Sequence, residues 1–531
     1  MTRQHSTRLD PPEPLDSKLE PMPTRSSQLE ADASRVSKQA TKELDAAQRV
    51  ELGQFFTPWD IAAFMASMPA MTGESFRILD PGAGTGMLSA AVIARLCAAR
   101  RRPRSISLTV YEVDAALRPA LSATLARCAQ DCASVGVAFS ADIRTEDFIE
   151  CAVRDIAEIG PSAVAQYDLA ILNPPYRKLR SDSWHRALLR EVGVETSNLY
   201  TAFLSLALRL TKPGGEMVAI TPRSFCNGTY FRSFRGDLLG RFRFRRIHVF
   251  ERRDEAFHED SVLQENIIFC GVRSTESVAT VIVSSSNGGG VHRSTERIVR
   301  TDEVVRSDDR EAFIRIVPEE AGHELASRLS VLPATLRDLG LTVSTGRVVD
   351  FRARGWLRME AGPGDAPLIY PHHMIGGFVE WPRAHAKKPN AIVVSAESQS
   401  LLVPGEVYVF VKRFSAKEEA RRVMAAVYEP RRVRSSFVGI ENHLNYFHIN
   451  GGGLPLELAK GLAVYLNSTA FDTYFRQFSG HTQVNATDLR NVAYPSRDDL
   501  LEFGRQIGDL VADQKAVDEL LEDTLTVLVA H

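Results

Sequence analysis

Residues 78–92 read ILDPGAGTGMLSAAV, and the order of residue types in that stretch decides the fold. Ile78 to Asp80 end an apolar strand, Gly82, Gly84 and Gly86 make a loop, and a helical pattern starts at Met87. Glycines let the backbone turn tightly and lie against a ligand, while the helix start aims N–H groups at it. Asp80 at the strand tip would repel a pyrophosphate but suits a cationic or amine-bearing ligand. A glycine loop alone does not specify its ligand, so the neighbouring segments have to.

Outward from this loop, strand and helix alternate. Strands are expected at 76–80, 107–112, 137–143, 167–172, 216–221, 244–250 and 265–273, with helical segments such as GMLSAAVIARL and NLYTAFLSLALRL between the earlier ones. This pattern predicts a doubly wound, Rossmann-like α/β domain with a mostly parallel sheet. The last two strands have no helix between them, so an antiparallel hairpin should close the sheet. Upstream, residues 1–30 are rich in Pro, Ser and charge and are expected to be a disordered tail. Ser37 to Leu52 can form a polar helix. A second helix should start with Thr57 as N-cap and Pro58 in its first position, burying Ile61, Phe64, Met65 and Met68. The SSSNGGG stretch (284–290) marks a change of rhythm. Beyond it short strands and loops prevail to about residue 450, with helices at 455–475 and 498–529. The expected organisation is a tail (1–30), a catalytic α/β domain (31–286) and an α+β domain (287–531).

Composition narrows the function classes. A chain of 531 residues with net charge −2 is too long for one ordinary core and shows no global basicity. Arg232–Arg253 and Lys412–Arg434 are nonetheless basic runs. The six cysteines include no CxxC pair, which suits reduced thiols and argues against a disulfide framework or a zinc site. No apolar run suits a signal peptide or a membrane span, so a cytoplasmic protein is expected.

Three further motifs point to chemistry. YEVD (111–114) puts an acidic residue at the end of the second strand, where it can accept bonds from both hydroxyls of a ribose. Glu112 is the candidate, with Asp114 read as a helix cap. With Asp80, this favours S-adenosylmethionine over NAD. In ADIRTEDFIE (141–150), Asp147 and Phe148 could bind an adenine amino group and cover its ring, with Asp142 as the rival. In LAILNPPYRKL (169–179), an apolar strand runs into Asn173-Pro174-Pro175-Tyr176. Two prolines fix φ and force Asn173 out of the α region, which gives a stiff hook at the strand end where ligands bind in open α/β sheets.

In the order GQFFTP, DPGAGTG, YEVD, EDF, NPPY, the chain resembles the gamma-class amino-group DNA methyltransferases, which make N6-methyladenine. NLYTAFL and GGEMVAITPRSF extend the resemblance. Within that class the second half is similar to the BsuBI/PstI branch of type II modification enzymes, through TLRDLGLTVSTGRVVDFR, PLIYPHHMIGGFVEW, YVFVKRFSAKEEARR and SGHTQVNATDLRNVAYPS. The resemblance implies site-specific methyl transfer from S-adenosylmethionine to N6 of an adenine flipped out of duplex DNA. Thr57, Asp80, Gly82, Gly84, Glu112, Asp147 and Phe148 would bind the cofactor. The Asn173 side-chain oxygen and the Pro174 carbonyl would accept the adenine amino hydrogens. Tyr176 would stack on the base and Phe257 would cover its other face. Neither a metal nor a covalent protein intermediate is required.

The domain from residue 287 would then recognise the DNA target. In HTQVNATDLRNVAYP (481–495), Asn485 and Arg490 are read both as a helix start and as a grip on the DNA backbone. A monomer is expected, with any cleavage left to a separate cognate endonuclease. The rival readings are a methyltransferase of RNA or protein glutamine and a DNA-binding relative without catalysis.

Overall fold

The computed structural model describes residues 27–43, 56–160, 166–250, 265–286, 291, 294–307, 309–316, 325, 328–329, 332–383, 385, 387–415, 419–478, 483–509, 511 and 513–529. The chain divides into two compact units. The first comprises Met1–Thr221, Asp237–Val278 and Ser286–Ser294, and the second Pro222–Gly236, Ala279–Ser285 and Thr295–His531.

In the first unit the expected alternation is present. Its elements are α1 (Ser27–Glu43), α2 (Trp59–Ser67), β1 (Ser75–Pro81), α3 (Met87–Ala98), β2 (Ser105–Tyr111), α4 (Arg118–Ser134), β3 (Ala138–Arg144), α5 (Phe148–Ile159), β4 (Tyr167–Leu172), α6 (Trp184–Glu191), α7 (Leu199–Leu210), β5 (Thr211–Pro222), β6 (Phe242–Phe250) and β7 (Asn266–Arg273). These strands lie in the order β3-β2-β1-β4-β5-β7-β6. β1 pairs in parallel with β2 and β4, and the closing β6–β7 pair is antiparallel. β1 and β4 are buried along most of their length, as central parallel strands covered on both faces must be. All six cysteines are free, and five are buried.

The topology fixes where a ligand can sit. The chain winds from β1 outward to β3, then crosses back to β4 and β5, so strand order reverses between β1 and β4. In open α/β sheets the crevice at such a switch point is the binding site. Ile78 pairs with Leu169 and Leu79 with Ala170, so the glycine loop and Asn173 leave the same sheet edge at the same level.

Two local expectations need correction. The first helix starts at Ser27, ahead of the expected Ser37, because Leu29, Ala33 and Ser37 form a buried stripe at intervals of four. In α2 the N-cap is Pro58, with φ −60° and ψ 154°, and the helix begins at Trp59. Thr57 is thus released from capping.

The second unit contains strands β8 (Thr280–Ser286) and β9 (Thr295–Arg300), which form an antiparallel hairpin. It continues with β10 (Thr342–Thr345), β11 (Leu357–Arg358), β12 (Ala366–Ile369), β13 (Met374–Ile375), β14 (Phe378–Val379), β15 (Ala391–Ile392), β16 (Leu402–Pro404), β17 (Tyr408–Lys412), β18 (Ala425–Tyr428), β19 (Phe437–Ile440) and β20 (Leu444–His448). One sheet runs β10-β20-β17-β18-β14-β13 and another β11-β15-β12-β19-β16. Helices α8 (Leu456–Asn467), α9 (Thr469–Phe478), α10 (Ala486–Arg490), α11 (Arg497–Ile507) and α12 (Gln514–Val529) complete it. The two long helices expected from sequence are each split. Ser468 ends one and caps the next, its Oγ accepting from Phe471 N–H at 3.1 Å, and Gly508 breaks the other with φ +56°. No helix among the described residues is long and apolar enough to cross a membrane.

Candidate active site

A cavity of about 250 Å³ opens at the carboxyl edge of the first unit's sheet. Its lining includes Phe56, Thr57, Gly82, Gly84, Glu112, Asp147, Phe148, Asn173, Pro175, His185 and Phe203. The glycine loop forms one wall. Gly82, Gly84 and Gly86 have φ of +78°, +57° and +82°, a region costly for residues with a Cβ. Tyr111 O fastens the loop, accepting from Gly82 N–H at 3.0 Å and Ala83 N–H at 2.9 Å.

Glu112 stands beside the loop. Its carboxylate accepts from Gly84 N–H and Asp114 N–H, each at 2.8 Å. Burial raises its pKa, against the pull of those two N–H groups. Each oxygen keeps acceptor capacity for hydroxyls entering the cavity. Asp114 serves the turn before α4, its Oδ1 accepting from Ala116 N–H at 2.9 Å. The cap of α4 itself is Leu117.

Asp147 is the N-cap of α5. Its Oδ1 accepts from Ile149 N–H at 2.8 Å and Glu150 N–H at 3.1 Å, and its Oδ2 lies 3.3 Å from His185 Nε2. Burial alone would raise Asp147, but the His185 bond and the helix N–H groups outweigh it and hold the carboxyl below its usual range. Phe148 is buried against Phe203, with ring centroids 4.9 Å apart. The rival Asp142 is exposed on edge strand β3, paired with Arg144 at 2.8 Å, and does not line the cavity.

Asp80 is not on the cavity wall. It is fully buried, accepts from Ser89 Oγ at 2.6 Å through Oδ2, and has no hydrogen-bond partner for Oδ1. Burial pushes it up to about 7. An orphaned buried carboxyl oxygen at the strand tip fits a cationic ligand, since positive charge nearby would favour its ionised form.

The Asn-Pro-Pro-Tyr hook sits opposite. Asn173 Nδ2 donates to Thr57 Oγ1 at 3.0 Å, which orients the amide and explains the work of a threonine that caps no helix. Tyr176 Oη donates to Asn173 Oδ1 at 3.0 Å and reaches Ile220 O at 3.2 Å. Its ring lies edge-on to Tyr200, and burial drives its pKa well above the normal phenol value. The ring expected to stack on a base is therefore folded against Asn173. Pro174 is buried, and neither it nor Tyr176 lines the cavity. The hook is braced from α7's side, where Leu179 N–H donates to Ser197 O and Leu199 N–H to Arg177 O.

Asn485 and Arg490 belong to the second unit and have structural partners. Asn485 N–H and its side-chain amide both donate to Asp488 Oδ2 at 3.1 Å, and Arg490 donates to Val343 O at 2.7 Å. Phe257 lies outside the described residues. Phe56, His185 and Phe203 were not singled out from the sequence. The two phenylalanines carry no signal beyond apolarity, and His185 has none until its pairing with Asp147 is seen.

A braced side-chain amide and a glycine loop thus line one cavity at the switch point of a doubly wound sheet, the place where α/β enzymes bind their ligands. Residues 137–257 match the model of the Eco57I restriction-modification methylase family. The type II methyltransferase M.PstI of Providencia stuartii is 42% identical over 489 residues, covering 92% of this chain and 96% of that protein. The type II methyltransferase M.BsuBI of Bacillus subtilis is 42% identical over 486 residues, covering 89% and 95%. A solved structure of the type IIG restriction endonuclease BpuSI is similar at a TM-score of 0.42 and 14% identity, over 93% of this chain and 68% of that one. The chain belongs to the type II methyltransferases of restriction-modification systems.

Proposed function

We propose that this methyltransferase transfers a methyl group from S-adenosylmethionine to N6 of an adenine flipped out of duplex DNA, as the modification partner of a separate endonuclease. The observation that carries the reading is the pairing of β1 with β4, which brings the glycine loop and Asn173 together at one sheet edge. Gly82, Gly84, Glu112, Asp147 and Phe148 would hold the cofactor, with Asp80 behind them. When bound, S-adenosylmethionine supplies an electrophilic methyl on its sulfonium.

The protein's own task follows from the chemistry of the acceptor. An exocyclic adenine amine is a poor nucleophile because its lone pair is delocalised into the ring. Asn173 Oδ1 and the Pro174 carbonyl would accept its two hydrogens, favour a pyramidal nitrogen and place negative potential where positive charge develops. Two prolines keep those acceptors from moving, and holding both reactants in line lowers the entropic part of the barrier. Asn173 Oδ1 has a second lone pair for the base while it accepts from Tyr176, and stacking on the base would require the Tyr176 ring to turn from its place beside Tyr200. A base inside a duplex cannot reach the hook, so flipping is required. Arg490, exposed at the end of α10, and Asn485 at its start would add contacts to the DNA backbone, and the role of the second unit in this reading is recognition of the target.

Expression in a methylation-free host, followed by modified-base sequencing of its DNA, tests the reading. N6-methyladenine confined to one short sequence is expected. Unmodified DNA, or methylated cytosine, would overturn it.

A further inference from the structure

Among the described residues, several cations of the basic runs visible in the sequence are consumed by the fold. Arg235 is fully buried and donates to the carbonyls of Phe225, Gly228 and Glu311. Arg422 is buried and donates to Ser415 Oγ, and Arg432 pairs with Glu429 and Asp509. A cationic face arises instead from two other segments of the second unit, 350–358 and 381–390.

Hydrogen bonds make these segments one frame. β11 pairs antiparallel with β15, and Asn390 N–H donates to Arg358 O at 2.9 Å. Trp381 Nε1–H donates to Asn390 O at 2.7 Å, and Arg383 N–H to Asn390 Oδ1 at 3.2 Å. Lys388 bridges to Asp350 at 2.8 Å. That bridge neutralises the only carboxylate in the two segments.

The remaining charge has no internal answer. Arg352, Arg354, Arg358, Arg383 and Lys387 are exposed, and among the described residues none has an acidic partner. Arg358 and Arg383 are steadied only by carbonyls, of Gly355 and Leu357 for the first and His372 for the second. Phe351 lies among them 65% exposed, with the Arg352 guanidinium 5.4 Å from its ring centre. A concentration of unpaired like charge repels itself in the folded protein, and a bound polyanion would relieve that repulsion. Guanidinium groups suit phosphate oxygens by charge and by their donor fork, and an exposed ring among them can pack on a sugar.

We propose that this face is where the second unit grips the phosphate backbone of duplex DNA. The proposal rests on the reading of the chain as a DNA methyltransferase and adds the surface by which DNA is held. It predicts contacts that set register and supply affinity without reading sequence.

Anisotropy titration of the full-length protein with a fluorescein-labelled DNA duplex of arbitrary sequence, over a range of NaCl concentrations, tests it. Replacing Arg352, Arg354 and Arg383 together by Ala should make the slope of log Kd against log salt shallower by about 2–3 units, at ~0.9 per phosphate contact. It should also raise Kd by roughly ten-fold or more at physiological salt. These side chains are exposed, so melting temperature and affinity for S-adenosylhomocysteine should stay as in the wild type. The triple Lys variant should keep the wild-type slope. A triple Ala variant with the wild-type slope overturns the proposal. So does tighter binding of a single-stranded RNA probe through the same residues. A wild type that binds no duplex would instead defeat the reading of duplex DNA as the acceptor, on which the proposal rests.

Discussion

Asn173 is held by its neighbours before any substrate arrives. Its amide donates to Thr57 and accepts from Tyr176, and prolines follow it, so little ordering remains to be done on binding. Glu112 is held in the same way by two N–H groups. Glu112→Gln keeps the shape but removes the charge and one acceptor, so S-adenosylmethionine binding should weaken by about 1–3 kcal/mol, the worth of a charge-assisted hydrogen bond. Calorimetry giving wild-type affinity would remove Glu112 from the ribose. Much of this site was legible in the sequence, because Gly82, Glu112 and Asn173 follow directly on a strand, Gly84 lies in the glycine loop between strand and helix, and Asp147 and Phe148 begin a helix. Thr57 was read as a cap because Thr-Pro is a common helix start, and only the fold brings Asn173 to its hydroxyl. The sequence offers Asp80 as a cofactor ligand at the strand tip, yet strand geometry turns it off the cavity wall toward Ser89.

At the scale of elements, pattern and packing divide the information. Strands β1 to β7 were legible because their apolar runs are bounded by turn residues. The short strands of the second unit were not, since β11, β13, β14 and β15 span two residues each and exist only through tertiary pairing. Helix breaks at Ser468 and Gly508 were missed for a related reason: an apolar face continues across each. The crossing of α8 and α11 depends on glycine. A Cβ on Gly461 would lie 1.7 Å from Leu500 O, and one on Gly504 1.8 Å from Glu457 O. Gly461→Ala should therefore destabilise the second unit by at least about 1–3 kcal/mol, the usual cost of overpacking. Thermal scanning should show an early transition while the first unit keeps its affinity for S-adenosylhomocysteine. An unchanged scan would mean that the helices part without cost.

At the scale of the whole molecule, the chain forms two units that differ in architecture. The first provides a switch-point crevice with an amide hook, and the second provides two smaller sheets, a helical layer and several exposed arginines with no acidic partner among the described residues. Net charge of −2 gave no hint of them, because they are drawn from segments about thirty positions apart and their charge is averaged away by acids elsewhere. The central claim is that Asn173 presents acceptors to an adenine amine. The measurement that tests it most directly is mass spectrometry of nucleosides from plasmid DNA incubated with S-adenosylmethionine and either wild-type protein or Asn173→Ala. N6-methyldeoxyadenosine should accumulate with the wild type. The variant should bind the cofactor nearly as well but form product orders of magnitude more slowly in single turnover, since the lost contact matters most in the transition state. Methyl groups on cytosine, or equal rates from the two proteins, would contradict the account.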